Sequence, residues 1–396
     1  MFVAVRNFGP FEHVEVELKP LTIIVGKNNV GKSTLAYLIW ALAATTPNFR
    51  RNRELEAATA DDVEDVVEMV KSGADAHERL VKIVKRYIDA LPKALAVALE
   101  EALRKIYLAD LFDLIRRGTD KAYISVKGAN SAAEVVVTEK RVEVFHAPYA
   151  QFLEGLRFET LKPGVLRVPC EEKIQPVSTA YDVAKVIACI IAAYIRAAFG
   201  PLLFSASAAA FPDGRAGLSR ALLRLSLPVT MSKEVSRVDE QYAGLFYRLA
   251  EYAYRGRVDM RLVEPLLAEL GASLELVQEG GLYTVHIRTW TGKRLRLQQA
   301  PSGLRESIVA ALALASEADP LLVVLEEPEA RLHPGAQLAL LRIIATAAKR
   351  GKYVLITTHS EETARILAKD VGMEKTAIYH AHPQKDKAVL TPLNTI

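Results

Sequence analysis

Hydrophobic and polar positions alternate from the first residues onward. Phe2, Val3 and Val5 predict one strand, Asn7-Phe8-Gly9-Pro10 a turn, and Val14, Val16 and Leu18 a second strand. Leu21 to Val25 is wholly apolar, as expected of a central parallel strand covered on both faces. A glycine-rich turn follows, and Ser33 to Ala44 reads as a helix. Beyond it, apolar residues recur at helical steps, as Val63, Val66, Val67 and Val70 and again as Leu95, Leu99, Leu103 and Ile106. This predicts a helical insertion over residues 50–118. Gly73 and Pro92 interrupt it too soon for a long coiled-coil arm.

Alternation returns at Ala122 to Val126, Glu134 to Thr138 and Val142 to His146, which predicts an antiparallel meander. The segment Val183 to Phe211 is the most apolar, but Lys185 and Arg196 break it well short of the roughly 20 residues of a membrane span. It is expected to be a buried helix ending at Gly200-Pro201. A second helical stretch is expected from about Val235 to Leu270, followed by strands over Ser273 to Val277 and Tyr283 to Arg288, so that 235–290 forms a helical and β lobe. Within it Tyr242, Leu245, Phe246, Leu249 and Ala253 share one helical face. That favours core packing over the alternative reading, in which the interleaved Arg248, Arg255 and Arg257 serve nucleic acid. The last hundred residues alternate, with helix over Gly303 to Ala318, strand over Leu321 to Leu325, helix over Gln337 to Ala348 and strand over Tyr353 to Thr357. Such alternation with apolar strands implies a parallel sheet, whose ligands bind at the carboxyl ends of its strands.

Composition narrows this picture only slightly. With 396 residues, 51% of them hydrophobic and 25% charged, the chain can build one large core with insertions. A net charge of +4 is too weak to argue for nucleic acid. Cys170 and Cys189 lack the spacing of a zinc site or a redox pair, and are expected as buried small hydrophobes in a reducing compartment. The N-terminus lacks a signal-peptide profile, so the expected location is cytoplasmic, without membrane insertion.

Four segments carry chemistry. Gly26-Lys27-Asn28-Asn29-Val30-Gly31-Lys32-Ser33 fits the phosphate-binding P-loop, with an apolar strand before it and a helix after it. Glycines let backbone N–H groups converge on phosphate oxygens, Lys32 is expected to reach the β- and γ-phosphates, and the Ser33 hydroxyl is expected to bind Mg²⁺. Leu321 to Glu329 is an apolar strand ending in acids. Glu326 is assigned to the Mg²⁺ shell and Glu327 to polarising the attacking water. His359 ends the next strand and is placed to donate to the γ-phosphate. Ser302 and Gly303 open a helix, offering a hydroxyl and free helix N–H groups to a phosphate, with Glu306 spaced as in a capping box.

Together these elements resemble the ABC-type ATPase head of RecF, SMC-like and OLD-family proteins. Gly26 to Ser33 matches Walker A, including Asn28, and the phosphate-binding set runs through Asn29, Val30, Gly31, Lys32, Ser33 and Thr34. Ser302-Gly303 is similar to the signature motif, Leu321 to Glu327 to Walker B, Ala330-Arg331-Leu332-His333-Pro334 to the D-loop of OLD-type heads, and His359 to the switch histidine. Phe211 to Leu218 is similar to a Pro…Arg loop of the OLD-like group. The signature reads Ser-Gly-Leu-Arg where the family has Ser-Gly-Gly-Gln. For the Q-loop glutamine, Gln151 and Gln175 are nominal candidates.

The resemblance implies an α/β P-loop NTPase fold, a mainly parallel sheet with an antiparallel meander and helical insertions, forming a single head over 1–396. It implies a Mg-dependent ATPase with Glu327, Lys32 and His359 as catalytic residues, and ATP and Mg²⁺ as cofactors. Because each motif occurs once, it further implies a homodimer closed head-to-tail around ATP. OLD-family heads pair with a metal-dependent Toprim nuclease, and the residues after His359 are too few for one. The chain is therefore expected to be either a stand-alone switch or the ATPase partner of a nuclease or other effector made separately, with DNA by family analogy and a role in DNA maintenance or phage defence. The alternatives are the nucleotide-binding subunit of a membrane transporter, against which the insertion and the altered signature count, and an ATP-binding module with little turnover.

Overall fold

A computed structural model describes residues 1–396 apart from 171–172, 206, 216, 218–235, 318 and 394–396. Strands β1 (Phe2–Phe8) and β2 (Phe11–Glu17) form the opening hairpin, and β3 (Leu21–Gly26) leads into helix α1 (Lys32–Ala44). Helices α2 (Arg53–Ser72), α3 (His77–Asp89), α4 (Leu91–Tyr107) and the short α5 (Leu111–Leu114) follow. Gly73 ends α2 in a left-handed conformation, and Pro92 sits in the first turn of α4, where its missing N–H costs nothing.

The meander β4 (Lys121–Lys127), β5 (Ala132–Thr138) and β6 (Val142–His146) does not stand apart, because β4 pairs with β1 and extends the main sheet. After α6 (Ala150–Glu154), a small sheet of β7 (Glu159–Lys162), β8 (Val165–Arg167) and β9 (Ile174–Pro176) leads to α7 (Ala180–Phe199). Helix α7 ends at Gly200 as expected, but buries one side only. Val183, Val186, Ile187, Ile190 and Tyr194 are buried, while Ala184, Ala188 and Ala192 on its other side are exposed. The apolar run also contains a strand that periodicity hid, β10 (Ala208–Phe211), which pairs in parallel with β14 (Leu322–Glu326).

The second helical stretch divides into α8 (Arg237–Tyr254) and α9 (Met260–Glu269), with a left-handed Gly256 between them. Tyr242, Leu245, Phe246, Leu249 and Ala253 are all buried, as core packing requires, while Arg248 and Arg255 point outward. Strands β11 (Ala272–Glu279), β12 (Leu282–Thr289) and β13 (Arg294–Arg296) form a separate antiparallel sheet. Then come α10 (Ser302–Ala315), β14, α11 (Pro334–Lys349), β15 (Tyr353–Thr358), α12 (Glu361–Val371) and a final hairpin of β16 (Thr376–Gln384) and β17 (Lys387–Pro392).

Among the described residues the main sheet runs β10-β14-β15-β3-β16-β17-β2-β1-β4-β5-β6. Its first five strands are parallel, and the rest is largely antiparallel. Each parallel strand is apolar on both faces because each face has its own core. Ile24, Leu322, Val324 and Leu355 pack on the side of α1, α4 and α7, whereas Ile23, Val323, Leu325 and Ile356 pack on the side of α8, α10 and α11. This two-sided packing fixes the register that sets β14, β15 and β3 side by side, with Glu326 opposite Thr357 and Val25 opposite Thr358.

The two cysteines depart from expectation. Cys170 and Cys189 form a disulfide with their Cα atoms 6.2 Å apart. Cys170 follows β8, and packing of the small sheet against α7 brings the pair together, a tertiary contact that sequence spacing does not encode. Among the described residues, no helix is long and apolar enough to cross a membrane.

Candidate functional site

The site lies where β3, β14 and β15 end. Gly31 at the mouth of α1 has φ 86°, and a Cβ there would fall 2.6 Å from Pro10 and 2.8 Å from the Phe11 ring, so the loop closes tightly onto the opening hairpin. Gly26 faces the same limit from the other side, since a Cβ there would sit 2.2 Å from the Ala381 carbonyl of β16. Both positions require glycine. Asn29 is also left-handed at φ 60°. Asn28, Asn29 and Ser33 are exposed, Thr34 is half-buried and Val30 is buried.

Lys32 is 7% exposed and curls back over its own loop. Its Nζ donates to the Gly26 carbonyl at 3.0 Å and the Lys27 carbonyl at 2.8 Å, and lies 3.5 Å from both ring nitrogens of His359. Burial holds its pKa below the usual lysine range, and the nearby Glu327 and Glu326 carboxylates oppose that shift. His359 Nε2 in turn lies 2.7 Å from Glu327 Oε1. Lys32, His359 and Glu327 therefore form one line of contacts across three neighbouring strand ends.

Glu326, largely buried, points to the α1 side. Its Oε2 accepts a hydrogen bond from the Tyr37 hydroxyl and another from the Asp213 N–H at 3.1 Å. Tyr37 stands one turn after Ser33 on the same side of α1. Burial beside Glu326 drives the Tyr37 hydroxyl far above the usual range, which keeps it a donor at any working pH. A serine hydroxyl and carboxylate oxygens are hard donors of the kind Mg²⁺ takes, so this set fits the metal implied by the P-loop.

Arg215 braces the back of the site. It is 1% exposed and donates to the carbonyls of Glu326 at 2.7 Å, Pro212 at 3.0 Å, Phe211 at 3.4 Å and Glu327 at 3.4 Å, as well as to that of Glu306 at 2.9 Å. Glu327 itself has φ 41°, a left-handed conformation costly for a residue with a Cβ, which this bracing and the bond from its N–H to the Thr357 carbonyl at 2.8 Å hold in place. Behind His359, the Thr358 hydroxyl donates to Glu329 Oε1 and accepts from the Ser360 N–H at 2.9 Å, which ties the histidine turn to the acidic turn. Burial pushes the Glu329 carboxyl up.

The structure thus brings Lys32, Glu326, Glu327 and His359 together. It keeps Ser302 and Gly303 elsewhere. Ser302 is exposed in the first turn of α10, Gly303 packs near Leu270 and Leu332, and among the described residues no hydrogen bond or ion pair joins either to Lys32, Glu327 or His359. The capping box expected around Gly303 is absent, because the Glu306 carboxylate is buried between Arg215 and Arg331. Of the Q-loop candidates, Gln151 is exposed on α6 and Gln175 donates to its neighbour Pro176, whereas Asp213, two residues past β10, touches Glu326 through its backbone N–H. Sequence pattern assigns no role to Tyr37, Asp213 or Arg215, although the last two lie in the Pro…Arg loop. The spacing of Tyr37 from Ser33 was a usable signal, but the other two needed β10. The Pro…Arg loop extends into Ala216 and Leu218, which lie outside the described residues.

Comparison with known families places each half of this arrangement. A family described as "AAA ATPase domain" matches residues 1–143, which hold the P-loop. Another, described as "AAA domain, putative AbiEii toxin, Type IV TA system", matches residues 219–364, which hold Ser302, both acids and His359. Both halves of the chain are thus similar to AAA-type ATPase domains. Solved structures similar to this chain include an SMC head bound to the C-winged helix domain of ScpA, at 12% identity and TM-score 0.48, covering 99% of this chain and 97% of that one. The SMC head domain from Thermotoga maritima matches at 12% identity and TM-score 0.41, over 99% and 98% of the two chains. The SMC head domain from Pyrococcus furiosus, bound to the C-terminal domain of ScpA, matches at 11% identity and TM-score 0.40, over 99% and 95%. Among curated proteins there is no match. The two family matches support ATP binding and hydrolysis.

Proposed function

We propose that this head binds ATP with Mg²⁺ on the P-loop and hydrolyses it when two copies close head-to-tail, each offering Ser302 and Gly303 to the nucleotide held by the other. The observation that carries this reading is the line Lys32–His359–Glu327 across three strand ends, set beside Glu326. In this reading residues 1–396 act as one head, with 50–118 as an insertion and 235–290 as the lobe before the signature.

Each residue's task follows from its surroundings. Backbone N–H groups of Asn28 to Thr34 bind phosphate oxygens at the start of α1. Lys32, already desolvated, presents its ammonium to the β- and γ-phosphates without first shedding a full hydration shell. Ser33 and Glu326 would hold Mg²⁺, which when bound neutralises charge on the phosphates. Glu327, fixed by Arg215 and by its own backbone bond, orients a water and takes its proton. His359 donates to the transferring phosphate, and its contact with Glu327 links loss of that phosphate to the position of the base. Removal of the γ-phosphate would then cut the contacts of Ser302 and His359 and let the pair open.

A role in DNA maintenance or phage defence, with a separately made effector, follows from the resemblance to RecF, SMC-like and OLD-family heads, and the description of the second matched family is in keeping with defence. The test is Glu327→Gln protein given ATP and Mg²⁺. Phosphate release should fall by about 10²–10⁴-fold, and light scattering should show a dimer that the nucleotide-free protein lacks. A protein that stayed monomeric with ATP bound would overturn the head-to-tail reading.

A further inference from the structure

The turn after the two acids holds an arginine that the reading above leaves unused. Arg331 has φ 60°, a left-handed conformation uncommon for a residue with a side chain. Its Nη1 lies 2.7 Å from Glu306 Oε1, yet 52% of its side chain remains exposed. Glu306 is one turn into α10 beyond Ser302, and the Arg331 carbonyl would lie 3.7 Å from a Cβ on Gly303. Arg331 therefore borders the surface that carries Ser302 and Gly303. Leu304 and Arg305, where the resemblance would place glycine and glutamine, are both buried.

The partner of Arg331 is built to tolerate its departure. A buried carboxylate stripped of its cation is strongly destabilised. Glu306, with 2% of its side chain exposed, has a second counter-charge, since Arg215 Nε lies 3.4 Å from its Oε2. Arg215 is itself held by the carbonyls of Phe211, Pro212 and Glu326, and stays when Arg331 moves.

We propose that Arg331 is a transferable cation: it rests on Glu306 in the single chain, and turns outward to contact the triphosphate held by a second copy when the Ser302–Gly303 face closes on it. This rests on the head-to-tail pair proposed above and names a residue that completes its site. Phosphoryl transfer spreads negative charge over the transferring oxygens, and a planar guanidinium brought in from outside matches that charge.

The experiment is subunit mixing. Arg331→Ala and Glu327→Gln proteins are combined as monomers, and phosphate release is measured after ATP and Mg²⁺ are added. Each variant alone should lose about 10²-fold or more of the wild-type rate. In a mixed pair one site combines an intact Glu327 with an intact Arg331 from the other chain, so the mixture should recover about a quarter of the wild-type rate. Arg331→Gln serves as a second variant, and thermal melting of both checks that they fold. No recovery, with pairs visible by light scattering, overturns the proposal and assigns Arg331 to its own chain. Glu327→Gln protein that remains monomeric with ATP overturns the pair itself, and this proposal with it.

Discussion

Glu327 Oε1 lies 2.7 Å from His359 Nε2, so side chains close the gap between the ends of β14 and β15. Adjacent parallel strands place these two residues within reach only if Glu327 adopts its left-handed turn, and the buried Arg215 guanidinium holds that turn by donating to the carbonyls on both sides of it. The proposed base and the proposed phosphate-contacting histidine are therefore held against each other. His359→Ala should lower kcat by about 10²-fold or more while changing ATP affinity little, because Lys32 and the P-loop remain. Steady-state phosphate release together with nucleotide titration checks this, and a loss confined to ATP binding would contradict it.

Much of this site was legible along the chain because its parts are local. The P-loop, the apolar strand ending at Glu326 and the strand before His359 each obey short-range rules of periodicity and turn chemistry, and the parallel alternation that sets them side by side follows from those rules. Other parts depend on distant packing. The four-residue strand β10 was hidden inside an apolar run, because neither its length nor its alanines distinguish it from the end of a helix. With β10 went Asp213 and the task of Arg215, whose bonds reach carbonyls more than a hundred residues away. Glu306 looked like a cap because spacing reports where a side chain starts and not where it ends. Strands β16 and β17 went unread as well, although β16 is the neighbour that makes Gly26 obligatory.

The Cys170–Cys189 disulfide closes a short loop between the small sheet and α7, with a sequence separation of 19. A cross-link of that length restricts the unfolded chain by about 3 kcal/mol. Alkylation followed by intact-mass measurement should leave both cysteines unmodified until a reductant is added. Cys170→Ser should then lower unfolding stability in denaturant by about 3 kcal/mol, with the ATPase rate largely retained, since the bond lies outside the nucleotide site. Two thiols alkylated without reductant would contradict the structure here and restore the expectation of buried, unpaired cysteines.

Lys352 gives a pH dependence of definite sign. It sits just before β15, is 8% exposed, and donates from Nζ to the Pro320 carbonyl at 2.7 Å. Burial pulls its pKa down to about 8, with Asp319 opposing the shift. In the unfolded chain the group returns to its ordinary value near 10.4. Below pH 8 both states carry the proton, and the folded protein bears the full cost of a buried charge. Between about 8 and 10.4 the folded protein has released a proton that the unfolded chain still holds, so stability rises with pH across that window by on the order of 2 kcal/mol. Lys352→Met removes the titration and also the bond to Pro320, a loss that is the same at every pH. Denaturant unfolding at pH 7 and pH 10 should therefore show the wild type gaining stability relative to Lys352→Met as pH rises. A constant difference between the two proteins would mean that Lys352 keeps its ordinary pKa in the fold.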